Sequence, residues 1–82
     1  MKMKYYVYIL QSIPFPNQTY IGITTNLDLR FKTHNEGGSL QTSKYKPWEL
    51  KISVTFLDKT KAYAFEKYLK SHSGRAFASK HF

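Results

Sequence analysis

No cysteine occurs among the 82 residues. That absence removes disulfide staples, thiolate zinc sites and cysteine nucleophiles together, so the fold rests on packing alone and no oxidising compartment is implied. Acids are scarce as well: five Asp and Glu stand against thirteen Lys and Arg, leaving +8. Long apolar runs are missing. The run at residues 5–10, behind the lysine-bearing residues 1–4, is too short for a signal segment and has no small-residue cleavage site after it. Nothing approaches the roughly 20 apolar residues of a membrane-spanning helix. The expectation is a soluble, cytoplasmic protein that does not engage a membrane. A chain of this length holds one domain, residues 1–82, which buries only about 60 to 65% of its unfolded surface in a single small core.

What is present is positive charge and aromatic rings. Seven Tyr, six Phe and one Trp accompany the cations. A surplus of Lys and Arg gains free energy on a polyanion by displacing condensed counterions, which points to nucleic acid; a merely solvated basic surface is the bland alternative. The surplus is concentrated, since residues 59–82 hold six Lys and Arg against one acid. Of these, Lys61, Lys67, Lys70, Arg75 and Lys80 are the candidate nucleic-acid-binding set.

Along the chain, residues 4–11 (KYYVYILQ) are aromatic and β-branched, and Pro14, Pro16 and Asn17 break the run that follows. Thr19–Thr24 (TYIGIT) reads as a second strand, joined by a connection short enough for an antiparallel hairpin. Thr25 or Asn26 caps a helix over residues 26–36, with Asp28 in its first turn and Gly37-Gly38 at its end. A polar loop leads to residues 48–57, where Trp48, Leu50, Ile52, Val54 and Phe56 alternate with polar residues as a third strand. Asp58 or Thr60 caps a helix over residues 61–71, Ser73-Gly74 punctuates, and residues 75–80 form a short helical tail. The order is ββαβα plus that tail, an α+β fold with helices covering a small sheet.

Polar residues at apolar positions mark candidate function. On the first helix Leu27 and Phe31 face the sheet, and Arg30 and His34 share their stripe. On the later helix Ala62, Phe65 and Leu69 form the apolar stripe, and Glu66 falls within it. A carboxylate at the edge of a core costs several kcal/mol unless it is paired or metal-bound, so Glu66 needs a partner. Two partners stand open: an ion pair with Arg30 that braces the helices, or a metal. Tyr8 and Tyr20 can meet across the hairpin, and Gly22 removes a side chain beside them, leaving space that a phosphate can approach.

Tyr6-Val7-Tyr8, Tyr20-Ile21-Gly22, Arg30 with His34 four residues later, and a lone Glu66 together resemble the GIY-YIG nuclease domain over essentially the whole chain. The second motif matches literally, while the first carries Tyr6 for Gly and Val7 for Ile. The length and the ending GRAFASKHF are similar to small bacterial members labelled as homologues of the C subunit of excision-repair endonuclease. The resemblance implies a three-stranded antiparallel sheet flanked by helices. It also implies metal-dependent hydrolysis of phosphodiester bonds in DNA, with branched or damaged DNA among the substrates, and a place in DNA repair. By that resemblance Glu66 holds the divalent ion, Mg²⁺ or Mn²⁺. Arg30 contacts the scissile phosphate, and Tyr8, Tyr20 and His34 surround the attacking water. A phenol is a poor base at neutral pH, so Tyr20 in that role needs help from the ion or Arg30, whereas His34 is the better base on intrinsic grounds; both stay open. Many relatives carry a late polar amide near the phosphate. No Asn follows Asn35 here, which leaves Ser73 or Arg75 for that place.

Two other readings compete with an endonuclease of little sequence specificity: a non-catalytic nucleic-acid-binding module that keeps the fold, and a small structural protein in which Glu66 and Arg30 only brace each other. With no separate DNA-binding domain expected, target choice falls to the basic surface or to a protein partner.

Overall fold

The computed structural model describes residues 3–82; residues 1 and 2 of the lysine-bearing start lie outside the described chain. Strands β1 (Tyr5–Ser12), β2 (Thr19–Thr24) and β3 (Trp48–Phe56) form one antiparallel sheet in the order β2-β1-β3. Helices α1 (Leu27–Asn35) and α2 (Leu40–Ser43) precede β3, and α3 (Lys59–Leu69) and α4 (His72–His81) follow it. This is the expected α+β architecture, a three-stranded antiparallel sheet flanked by helices. No described helix is long and apolar enough to cross a membrane.

The central strand explains the layering. Val7, Tyr8, Ile9 and Leu10 are all buried, because β1 is covered on both faces. Alternation sends Val7 and Ile9 one way, into a cluster with Ala62 and Leu69 of α3, and sends Tyr8 and Leu10 the other way, toward Trp48 and the α1 residues Leu27 and Phe31. Three of the four helices start on a side-chain cap: Asn26 accepts from the Leu29 N–H in α1, Asp58 from Lys61 in α3, and Ser71 from Gly74 in α4.

Three details depart from the sequence reading. The loop after α1 contains the one-turn helix α2, and α4 begins at His72 with Gly74 inside it rather than before it. The third departure is in β3. Ile9 pairs with Ile52 but Leu10 pairs with Leu50, so Lys51 is an extra residue with no partner, a bulge. Trp48, opposite Ser12, therefore packs into the α1 layer and Leu50, opposite Leu10, is turned to that same side but exposed, whereas Ile52 and Phe56 pack into the α3 layer. The unbroken alternation that predicted one face is divided between two.

Candidate active site

β1 and β2 put two phenols side by side. Tyr8 is directly opposite Gly22, and the rings of Tyr8 and Tyr20 have centroids 6.3 Å apart. A Cβ on Gly22 would strike the Tyr8 hydroxyl and lie 2.6 Å from Cζ. The space beside Gly22 is thus filled by Tyr8 itself, not open to a phosphate as the sequence implied; the glycine lets a long phenol cross the neighbouring strand.

α1 brings the third ring. His34 is fully buried, with its ring centroid 4.8 Å from Tyr20 and 6.0 Å from Tyr8. Its Nε2 lies 3.0 Å from the Tyr8 hydroxyl and its Nδ1 2.8 Å from Thr42 Oγ1. One turn earlier, the exposed Arg30 lies beside both phenols, and Tyr8 first and then Tyr20 raise its own pKa. With the Arg30 charge beside the Tyr8 oxygen, the lone pairs are turned to the guanidinium and the phenol proton is assigned to the His34 side, where Nε2 accepts it. That network assigns His34 the tautomer with Nδ1–H donated to Thr42.

Thr42 was hidden in the sequence. It sits in α2, in a stretch with no apolar period, and is held by Trp48, whose indole N–H donates to the Thr42 carbonyl at 2.8 Å. Asn35 secures the same corner, accepting from the Trp48 N–H and donating to the Trp48 carbonyl. The start of β3 therefore fixes the group that fixes the imidazole. No local pattern at Thr42 marks this role.

Burial separates the cluster electrostatically. Tyr8, only 1% exposed, has its pKa raised chiefly by burial, with the Arg30 hydrogen bond opposing and Tyr20 and Glu66 adding to the rise. His34 has its pKa lowered, first by burial and then by the Arg30 charge. Neutral pH therefore finds a protonated phenol beside a neutral imidazole. A base whose folded pKa lies below its unfolded value of about 6.5 stabilises the fold fully above that value and loses the contribution as pH falls. The melting temperature is expected to drop between about pH 7 and 5, and His34→Gln should flatten that slope, since the exposed His72 and His81 remain in both proteins. Parallel pH profiles for the two proteins would refute the assignment.

Glu66 approaches from the other layer. It belongs to α3, whose Ala62 and Leu69 pack on the Val7 face. Its side chain is 18% exposed and its Oε2 is 2.9 Å from Lys70 Nζ, while its charge is felt at Tyr8. The expected alternative of a Glu66–Arg30 brace is corrected: the carboxylate pairs with Lys70 one turn along its own helix, and Arg30 is turned to the phenols. Among the described residues no three or more His, Cys, Asp or Glu gather to hold a metal. A single carboxylate fits a hard divalent ion that keeps most of its waters, and does not fit an all-protein cage; such an ion would have to displace Lys70 from Glu66.

The nominated cations divide. Lys70 and Arg75 line one cleft with Tyr20, whereas Lys61, Lys67 and Lys80 are exposed elsewhere. Of the two residues that could replace the missing amide, Ser73 is exposed and outside that cleft, and Arg75 lines it.

A three-stranded antiparallel sheet with two tyrosines, an arginine and a histidine gathered on one face defines an architecture with known counterparts. The family model described as the GIY-YIG catalytic domain matches residues 4–80, and the chain belongs to that family. The chain is 37% identical over 71 residues to UPF0213 protein SH2523 of Staphylococcus haemolyticus, covering 85% of this chain and 84% of that protein. The solution structure of UPF0213 protein BH0048 from Bacillus halodurans superposes with a TM-score of 0.59 at 31% identity, covering 95% of this chain and 84% of that one. Structure-specific endonuclease subunit SLX1 of Debaryomyces hansenii is 40% identical over 73 residues, but this chain spans only 21% of its length.

Proposed function

We propose that the chain is a metal-dependent endonuclease that hydrolyses phosphodiester bonds in DNA with little sequence preference of its own. The observation that carries this reading is the Tyr8–His34–Thr42 series: a buried phenol held by Arg30 on one side and by an acceptor imidazole nitrogen on the other. A phenol whose pKa is raised makes a poor phenolate, but it passes a proton without ionising. As an attacking water bonds to phosphorus and the bond to the leaving oxygen breaks, the water's proton goes to the Tyr8 oxygen and the Tyr8 proton to His34 Nε2; the leaving oxygen takes a proton from solvent, and the buried imidazolium returns its own through Tyr8. Thr42 keeps Nε2 free to accept. Tyr20, partly exposed, orders the water, and Arg30 forks onto the phosphate to neutralise the charge that develops. Glu66 would hold Mg²⁺ or Mn²⁺, an ion that polarises a phosphoryl oxygen when bound.

Relatives named as subunits of structure-specific endonucleases support DNA of branched form as substrate, a repair role and a protein partner that directs the domain. A cytoplasmic location fits that substrate. The Glu66–Lys70 ion pair favours the second reading, a binding module without turnover, since it keeps the carboxylate occupied.

Cleavage assays on duplex, branched and single-stranded DNA, with Mg²⁺ or Mn²⁺ and with chelator, separate the two. Ion-dependent nicking is expected, with binding that weakens steeply between about 50 and 200 mM salt. Salt-sensitive binding with no cleavage under any condition would establish the binding module instead.

A further inference from the structure

A cleft of about 650 Å³ opens on the α3 side of the sheet, between the β1–β2 hairpin and the corner where α3 turns into α4. Its floor is apolar, built from Ile9 and Ile21 of the sheet and from Phe82 beyond α4. Its rim carries three cations, Lys51, Lys70 and Arg75, and none of its lining residues is acidic. Tyr20 belongs both to this cleft and to the phenol cluster, so the two sites share a wall.

Lys51 is the bulge residue of β3. In a regular strand Lys51 and Ile52 would point to opposite faces; the bulge lets Lys51 line the same side as Ile52, into the cleft. Lys70 stands at the opposite rim with half its side chain exposed, and Arg75 is one α4 turn before Ala78 and two before Phe82 on the cleft-facing side of that helix. An apolar, partly aromatic floor with a cationic rim is the pattern that takes unpaired nucleotides, because rings lie on the floor while phosphates meet the rim. Paired bases are stacked inside a duplex and offer the floor nothing. The volume is that of a site for a small ligand, enough for a stretch of single strand but not for a double helix.

We infer that this cleft binds a single-stranded segment of nucleic acid leading away from the phenol cluster. The inference rests on the nuclease reading for its substrate, and it makes that substrate a DNA in which paired and unpaired strands adjoin. The duplex meets Arg30 on one face of the sheet, and the unpaired strand passes around β2 to Lys51, Lys70 and Arg75 on the other.

The test uses the full chain with a fluorescent oligothymidylate and a blunt duplex of equal length, followed by anisotropy across a salt series. Lys51→Gln and Arg75→Gln should each weaken oligothymidylate binding about fivefold and reduce its salt slope by about 0.7, while duplex affinity changes less than about twofold. Lys44→Gln, an exposed charge outside the cleft, controls for net charge. Phe82→Leu retains apolar bulk but not the ring, and should weaken the oligothymidylate with the salt slope unchanged. Cleft variants that match Lys44→Gln, or that weaken duplex and single strand alike, would overturn the inference and leave the nuclease reading standing. Polyglutamate competing as well as oligothymidylate would overturn it too, by reducing the cleft to a general anion site. If the parent binds and cleaves no nucleic acid, both readings fall together.

Discussion

Glu66→Gln is expected to lower DNA cleavage by about two orders of magnitude or more while binding stays equal or tightens. The amide keeps the side chain's size and removes the one carboxylate that the site offers a divalent ion. It also releases Lys70, now paired at 2.9 Å, to meet phosphate in the adjoining cleft. Stability should barely move. Had Glu66 braced a buried Arg30, losing it would have left an unpaired charge in the interior at a cost of about 3 to 5 kcal/mol. Its actual partner is half exposed and one turn along the same helix, a pairing worth only about 0.3 to 0.5 kcal/mol. Thermal melting beside a cleavage assay therefore reads both quantities. A folded variant that cuts as fast as the parent would remove Glu66 from the mechanism and leave the binding module as the better account.

Gly74→Ala carries the largest expected effect on folding. Inside an exposed helix this change normally stabilises by about 1 kcal/mol. Here the sign reverses, because a Cβ at Gly74 would overlap the Tyr68 carbonyl oxygen and sit 2.7 Å from Leu69 Cα. Both are backbone at the end of α3, with no flexible side chain to yield. The corner can accept the methyl only by moving α4 off α3, which also opens the packing of Ala78 and Phe82 on the core. We expect a loss of about 3 kcal/mol or more from a total of roughly 4 to 12 kcal/mol, lowering the melting temperature by about 15 °C. A melting temperature within a few degrees of the parent's would show that the corner is looser than its geometry.

The same glycine illustrates what could be read in the sequence. Gly74 after Ser73 has the composition of a break, and its real reason, the close crossing of two helices, lies between residues that no local rule connects. Both longer helices before α4 emerged within a few residues of their bounds, read from their caps and end signals: α1 over Leu27–Asn35 against an expected 26–36, and α3 over Lys59–Leu69 against 61–71. Arg30, His34 and Glu66 were legible because each interrupts an apolar stripe. Thr42 interrupts nothing, and its importance comes from a hydrogen bond to a ring eight residues away. The bulge at Lys51 was masked by the very regularity of the strand around it. Alternation reports which residues are apolar, and the pairing partner decides which face receives them.

That bulge also bears on the exposed rim of the sheet. In a sheet ordered β2-β1-β3, β3 is an outer strand whose far side presents unsatisfied peptide groups. A straight nine-residue outer strand is a template on which a second chain can add, the first step of aggregation. The extra residue disrupts the even spacing of those peptide groups midway along β3, and Glu49 and Lys51 place charges near the interruption. A cation that lines a cleft for nucleic acid therefore sits at the point where the strand's outer rim is least able to recruit another copy of itself.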